Sequence, residues 1–332
     1  MDNRWFQQGI GFIISLLCLI VIARQIKFED VRIALANFQW LYMFWGLASL
    51  TFGYAIRIAR WSVLLKTINP EVSIVGCVGP FLGSIALNNI LPMRLGDIMR
   101  ALVFPSILGI GKATATSSLI IERLIDLVTL LVCLFVGFIF TLKAELSGWI
   151  TKSAFTVGIS SILILGFILF FSAPISSYCE SFLSYSWVKK SEIRIKFFIM
   201  AMNLLKNINV MSRLPILASL FLFSALIWLG EAGFFWALLI GFRFSVGPEA
   251  AIFVMAATTL STLIPSSPGY IGSFHLAAFA AASVLGSSSE QSASFAVLSH
   301  LGVWLPTTLA GIVAILLNPK LFASLGVKRK NV

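Results

Sequence analysis

Leu91-Pro92-Met93-Arg94-Leu95-Gly96-Asp97-Ile98 and Ile264-Pro265-Ser266-Ser267-Pro268-Gly269-Tyr270-Ile271 are two versions of one phrase, set 173 residues apart (Pro92 and Pro265) in apolar sequence. Pro92 aligns with Pro265, Gly96 with Gly269 and Ile98 with Ile271. Proline removes a backbone donor and clashes with the preceding turn, so a helix breaks at each phrase. Inside a bilayer, unwound backbone is tolerated only where protein buries it or a cavity receives it. Paired interruptions in corresponding halves of a chain point to a substrate site between them.

Outward from the two phrases the chain is overwhelmingly apolar. Of 332 residues, 59% are hydrophobic and 11% charged, and the mean hydropathy is +0.98. Soluble domains carry about 25% charged residues, so a soluble enzyme is excluded. Runs able to cross ~30 Å of hydrocarbon occupy 9–23, 40–65, 116–142, 154–173, 214–241 and 295–317. Regions 75–110 and 249–286 are split by the phrases, leaving short halves such as Val75–Leu91 and Gly269–Leu285. The expected fold is all-α: a polytopic integral membrane bundle of six full spans plus two inverted, broken or re-entrant helical hairpins. It forms a single membrane domain over 1–332, with repeat halves 40–142 and 214–317. Arg4 followed by apolar Gly9–Ala23 resembles a secretory signal. With so many spans downstream it reads as an uncleaved first helix, with little room for a large soluble domain beside the bundle.

Basic residues set the orientation. Lys189, Lys190, Arg194, Lys196, Lys206 and Arg213 place segment 174–213 in the cytoplasm, and Lys328, Arg329 and Lys330 place the tail there. Counting spans puts the amino terminus on the same side. Three full spans separate the broken regions, so these open toward opposite faces and the repeat is inverted. The net charge of +11 then belongs beside anionic lipid rather than nucleic acid. Cys18, Cys77, Cys133 and Cys179 show no pairing or metal-ligand spacing, so neither disulfide, metal nor cofactor is expected.

The first broken region gathers Asn88, Asn89, Arg94, Asp97 and Arg100. A charge at the bilayer centre costs about 2.5–3.5 kcal/mol even on lenient scales, so such groups face a cavity or a partner. Gly96-Asp97-Ile98 opens a half-helix whose free N–H groups favour an anion, and Arg94 and Arg100 add forked donors suited to phosphate. Alternatively, Asp97 pairs with Arg94 or Arg100 and pins the turn. Glu122 and Asp126 lie one turn apart, with Arg123 in reach of Asp126. They form either a cavity mouth or a self-neutralising helix end. Arg57 and Arg60 share a stripe with Tyr54 and Trp61, placed to meet a ligand or to snorkel to headgroups. The second region offers Pro265, Ser266, Pro268, Gly269, Gly272 and His275, suited to a neutral sugar or glycerol portion. His275 reads as a strut or a proton relay, and Glu231 and His300 as isolated polar groups that pair across helices. Nucleophile-elbow, zincin and Walker A motifs are missing from the sequence, so the chain reads as a non-enzyme.

Three motifs in order, Asn88-Asn89-x-x-Pro92-x-Arg94-x-Gly96-Asp97-x-x-Arg100, Glu122-Arg123-x-x-Asp126 and Pro265-x-x-Pro268-Gly269-x-x-Gly272, resemble the lysylphosphatidylglycerol synthase transmembrane-region family. This is the flippase-like membrane half of the multiple peptide resistance factor, also found alone. The resemblance covers nearly the whole chain. It implies an integral membrane protein that handles lipids with polar or phosphate headgroups. The family's fused aminoacyl-transferring domain is not in this sequence, so lysylphosphatidylglycerol synthesis by the chain itself is not expected. His275 stands where the family suggests an acidic residue. The family is also linked to glycolipid assembly and hopanoid transport, so the resemblance leaves the cargo open. The expectation is a flippase of an anionic phospholipid or polyprenyl-phosphate-linked lipid in a bacterial-type inner membrane, both termini cytoplasmic, with a separate lipid-modifying synthase as a partner. The alternatives are a membrane glycosyltransferase or aminoacyl-lipid synthase using Asp97 or Glu122 as base, and a non-transporting partner of such a synthase.

Overall fold

A backbone in hydrocarbon has no water to bond, so an apolar chain of this kind folds into helices that satisfy their own N–H and C=O groups. The computed structural model describes residues 28–142, 148–183, 190–264 and 267–324, with Cys18, Ile20, Tyr185 and Val188 besides. Among these the chain is entirely helical: α1 (Phe28–Ala36), α2 (Trp40–Lys66), α3 (Ile74–Ile90), α4 (Leu95–Leu102), α5 (Lys112–Leu142), α6 (Gly148–Phe182), α7 (Glu192–Met211), α8 (Leu214–Gly241), α9 (Pro248–Ser261), α10 (Ser273–Val284), α11 (Ser289–Leu317) and α12 (Pro319–Ser324). Short 3-10 turns, Pro92–Arg94 and Pro268–Tyr270, join α3 to α4 and precede α10. The expected first span over 9–23 lies outside the described residues except at Cys18 and Ile20, as does the basic tail.

Length separates spanning helices from broken ones. Lys112–Thr141, α8 and α11, of 30, 28 and 29 residues, are apolar and long enough to cross a membrane. Helix α2 matches them at 27 residues but carries Arg57, Arg60 and Lys66. Helices α3, α4, α9 and α10 have 17, 8, 14 and 12 residues, or ~25, ~12, ~21 and ~18 Å at the α-helical rise. None reaches the ~30 Å of a hydrocarbon core. The two broken regions are therefore hairpins of half-helices. The 174–213 segment is mostly helical: α6 runs on through Pro174 and α7 folds back against α6 and α5. Ile208 and Met211 of α7 are buried with Leu64, Ile121, Ile125 and Leu220, which explains why the polar segment packs rather than hanging free.

The order long helix, half-helix, 3-10 turn, half-helix, long helix occurs twice, as α2–α5 and as α8–α11. Contacts are reciprocal: α2 lies along α8, while α3 packs on α11 and α9 on α5. Glycines allow each approach. A Cβ on Gly230 would lie 2.9 Å from the Gly53 Cα, and one on Gly137 would lie 2.6 Å from the Phe253 nitrogen. Gly311 seats against the Leu82 carbonyl and Ala86 in the same way.

The breaks themselves correspond in a register that differs from the sequence alignment. Met93 (φ 59°, ψ 25°) matches Gly269 (φ 73°, ψ 10°), and Arg94 (φ 51°) matches Tyr270 (φ 58°). The structural counterpart of Pro92 is thus Pro268, 176 residues on, and not Pro265. Proline at the head of the turn fixes φ and the next two residues swing left-handed, so proline rather than glycine marks the equivalent position. Gly96 is accordingly not an unwinding point. It lies inside α4 on the face pressed against α3, where it needs space and not φ freedom.

Candidate functional site

The two left-handed turns touch. Arg94 Nη2 donates to both the carbonyl and the hydroxyl oxygen of Thr262, each at 3.0 Å, and its guanidinium lies 5.8 Å from the Tyr270 ring centre. The end of α3 is tied on both sides. Asn88 bridges to Asp97, its amide donating to Oδ1 at 3.0 Å and its Oδ1 accepting the Asp97 backbone N–H at 3.0 Å, which caps α4. Asn89 donates to Thr307 and Thr308 of α11 at 3.0 and 2.9 Å, and its carbonyl accepts from Trp304 Nε1 at 3.3 Å. His300 Nε2 donates to the Gly269 carbonyl at 2.7 Å.

Between the turns lies a cavity of about 130 Å³. Its walls come from Tyr54 and Arg57 of α2, Asn88 and Asn89 of α3, Arg94, and Arg123 of α5. From the second half come Glu231, Thr259, Thr262, Gly269, Tyr270, Phe274, His300, Trp304 and Thr307. Arg123 reaches both Asp97 carboxylate oxygens at 2.8 Å. Arg57 pairs with Glu231, whose other oxygen accepts from Thr259 at 3.1 Å, and stands 4.6 Å from the Trp228 ring centre.

Behind the cavity sits a second, buried charge network. Arg60 is 2% exposed; it grips Asp126 through two bonds of 2.6 and 3.0 Å and donates to Ser224 at 2.7 Å. Arg100 bonds Glu122 at 2.5 Å and lies 5.1 and 4.9 Å from the Trp61 and Phe81 ring centres. The other Glu122 oxygen is 3.8 Å from Arg60 Nε.

Of the residues singled out from sequence, Arg57, Asn88, Asn89, Arg94, Arg123 and Gly269 line one cavity. Asp97 stands directly behind it on Arg123, and Gly96 packs α4 against α3. Arg100, Glu122 and Asp126 do not line it; they are ion-paired in the buried network, Arg100 with Glu122 and Asp126 with Arg60. The partner of Asp97 is Arg123, not Arg94 or Arg100, and Asp126 chooses Arg60 across helices over Arg123 on its own. Burial rules out the snorkelling alternative for Arg60. Pro268 heads the second turn, Gly272 (φ 98°) precedes α10, and His275 lies tilted against His300 at 4.4 Å between ring centres. Pro265 and Ser266 lie outside the described residues. Thr262, Tyr270, Trp304 and Thr307 went unremarked in the sequence; their only local signal is a hydroxyl or indole within an apolar run.

Charge decides what the cavity accepts. Arg57, Arg94 and Arg123 face Glu231, with Asp97 behind, so one positive charge is in excess. Arg94 carries it, having no carboxylate partner among the described residues. Broken half-helices around a polar, net-positive cavity fit a polytopic membrane protein. The family model for the lysylphosphatidylglycerol synthase transmembrane region matches residues 8–311, and the chain belongs to that family. Membership makes it an integral membrane protein linked to lipid metabolism or translocation. Among curated proteins no significant match is found.

Proposed function

We propose that the protein moves an anionic, phosphate-bearing lipid across a bacterial-type inner membrane without altering it covalently. The observation that carries this reading is Arg94: a guanidinium in a cavity between two half-helix breaks, held by Thr262 and against the Tyr270 ring, with no carboxylate partner among the described residues and carrying the excess charge. In this reading Arg94 grips the headgroup phosphate, Arg57 and Arg123 support it, and Asn88 and Asn89 with the Gly269 turn meet its polar remainder. The acyl chains stay in lipid. The halves face opposite leaflets, both termini are cytoplasmic, and a separate synthase supplies the lipid. The carboxylates a synthase would need as base are all engaged by arginine: Asp97, Glu122, Asp126 and Glu231. This favours transport over glycosyl or aminoacyl transfer.

Purified protein in liposomes provides the test. Wild type is expected to speed movement of a tail-labelled phosphatidylglycerol to the opposite leaflet, with no change in lipid mass. Arg94→Ala is expected to slow it at least tenfold with an unchanged melting temperature. Arg94→Lys is expected to be nearly as slow, because a point charge does not reproduce a bidentate fork. Active Arg94→Ala protein, or a mass change in the lipid, would refute the proposal. Topology is checked separately: single cysteines at Lys190 and Arg243 are expected to label from opposite faces, since α8 crosses between them. Labelling from one face would remove the inverted arrangement.

A further inference from the structure

Helix α7 carries one apolar stripe: Ile193, Phe197, Met200, Leu204, Ile208 and Met211. Steps of three and four residues put all six on one helical face. The two ends of that face differ. Ile208 and Met211 are 2% and 0% exposed, packed with Leu64 of α2, Ile121 and Ile125 of α5 and Leu220 of α8. Ile193 and Phe197 are 80% and 66% exposed. The face that docks on the bundle at one end of α7 therefore runs on past it as an open surface.

Helix α6 overshoots in the same way. The apolar run 154–173 alone supplies the ~20 residues that cross the hydrocarbon. Yet α6 continues nine residues further, to Phe182 (182 − 173 = 9), which adds ~13 Å at the α-helical rise. Exposed Phe167 and Phe171 are followed at helical spacing by exposed Ile175, Tyr178 and Phe182. A lipid-facing stripe longer than the hydrocarbon core is accommodated by tilt. Tilt lays the α6–α7 hairpin toward the headgroups on its side of the bilayer.

Charge names the occupant. Between Trp187 and Met200 the sequence holds Lys189, Lys190, Arg194 and Lys196 against Glu192 alone, a net charge of +3 (4 − 1). At about 100° per residue, Arg194 and Lys196 flank the Ile193–Phe197 stripe on opposite sides. Both are exposed, as is Lys190. The Lys196–Glu192 pair stands open to water and holds little. Apolar groups edged by cations suit a helix lying in a headgroup layer, its rings turned inward and its charges reaching anionic phosphates. A second copy would instead set +3 against +3. We infer that the α6–α7 hairpin is a docking surface for the anionic membrane face beside it, with Ile193 and Phe197 seated among the headgroups. None of its residues lines the cavity, so the surface acts whatever the cavity carries.

The test places a fluorescent label on the stripe. Ile193→Cys is made in the full-length protein with Cys18, Cys77, Cys133 and Cys179 changed to alanine, and carries a nitrobenzoxadiazole group. Single proteins in phosphatidylcholine nanodiscs, with and without phosphatidylglycerol, are quenched by a lipid spin-labelled on its tail. Asn203→Cys, exposed on the polar flank of α7, is the control. With phosphatidylglycerol present, the label at 193 is expected to be quenched several-fold more strongly than the label at 203. Each basic residue beside an anionic surface contributes about fivefold, or about 1 kcal/mol. Lys190→Gln with Lys196→Gln is therefore expected to lower the ratio of buried to water-exposed label about 25-fold. Phe197→Cys is expected to repeat the result, and both positions are exposed enough to accept cysteine without loss of packing. Equal quenching at 193 and 203 would overturn the inference. So would quenching at 193 that ignores both phosphatidylglycerol and the two lysines. Burial that needs two proteins per disc would give the surface to a second copy and overturn it equally.

Discussion

Arg60→Met is expected to lower the stability of the protein by about 3–5 kcal/mol, the cost of leaving a buried ion without its partner. The side chain is 2% exposed. It joins three helices, holding Asp126 of α5 by two bonds and Ser224 of α8 by a third from its place on α2. Methionine fills much of the same volume but leaves the Asp126 carboxylate in an apolar interior with no cation. It also leaves Glu122 with Arg100 alone. Removing both members is a different matter. A buried pair replaced by apolar residues of similar size is often neutral, so Arg60→Met with Asp126→Leu is expected to regain most of the loss. The thermal midpoints of the two single variants and the double variant in detergent give the coupling directly. A single variant as stable as wild type would show that the pair does not hold α2 to α5.

Gly96→Ala, one methyl, is expected to cost about 3 kcal/mol, the upper end of overpacking penalties, and to abolish lipid movement. The added Cβ would overlap the Ser84 carbonyl oxygen and fall 2.7 Å from Asn88 Oδ1 and 2.8 Å from the Asn88 nitrogen. Two of those three atoms are backbone of α3, which has no rotamer to change. Relief requires α4 to move off α3, which stretches the Asn88–Asp97 bridge and then the Asp97–Arg123 pair at the cavity wall. Gly109→Ala is the control. Its φ of +65° makes it a strained position, yet a Cβ there meets nothing within 4 Å. The expected cost is the ~1–2 kcal/mol of a left-handed residue, with movement retained. Melting temperature and translocation rate are read for both variants. A fully active Gly96→Ala would mean that α4 is free to shift without consequence.

What could be read from the sequence was local. Proline within apolar runs located both breaks, and around Pro92 the amides Asn88 and Asn89 and the charge of Arg94 marked residues that face the cavity, whereas Asp97 and Arg100 do not line it. Partner choice was not local. Asp97 had arginines three residues on either side, yet its bond goes to Arg123, because the turn at Arg94 directs that side chain toward Thr262 instead. Asp126 prefers Arg60 because helix rotation presents a bidentate fork from α2. Sequence spacing carries no information on such rotations. The repeat register was ambiguous for a plainer reason: the second phrase holds two prolines, Pro265 and Pro268, and a similar spacing favoured the wrong one. Helix α11 gave one hint of its cavity face, His300. Its polar residues are scattered and form no continuous stripe, so Trp304 and Thr307 stayed unmarked.

The reciprocal packing of half-helices on the other half's long helices sets a timetable for synthesis. Helix α9 finds α5 already made when it emerges. Helix α3 does not find α11, because the Asn89 partners Thr307 and Thr308 lie 218 and 219 residues further along the chain. At ~5–20 residues per second that interval is roughly 10–40 s. Until then the Asn89 amide and the α3 surface that receives Gly311 must be sheltered by something other than their final neighbour. Two halves with matching architecture are therefore completed unevenly in time, one hairpin docking as it is made and the other waiting for the last long helix.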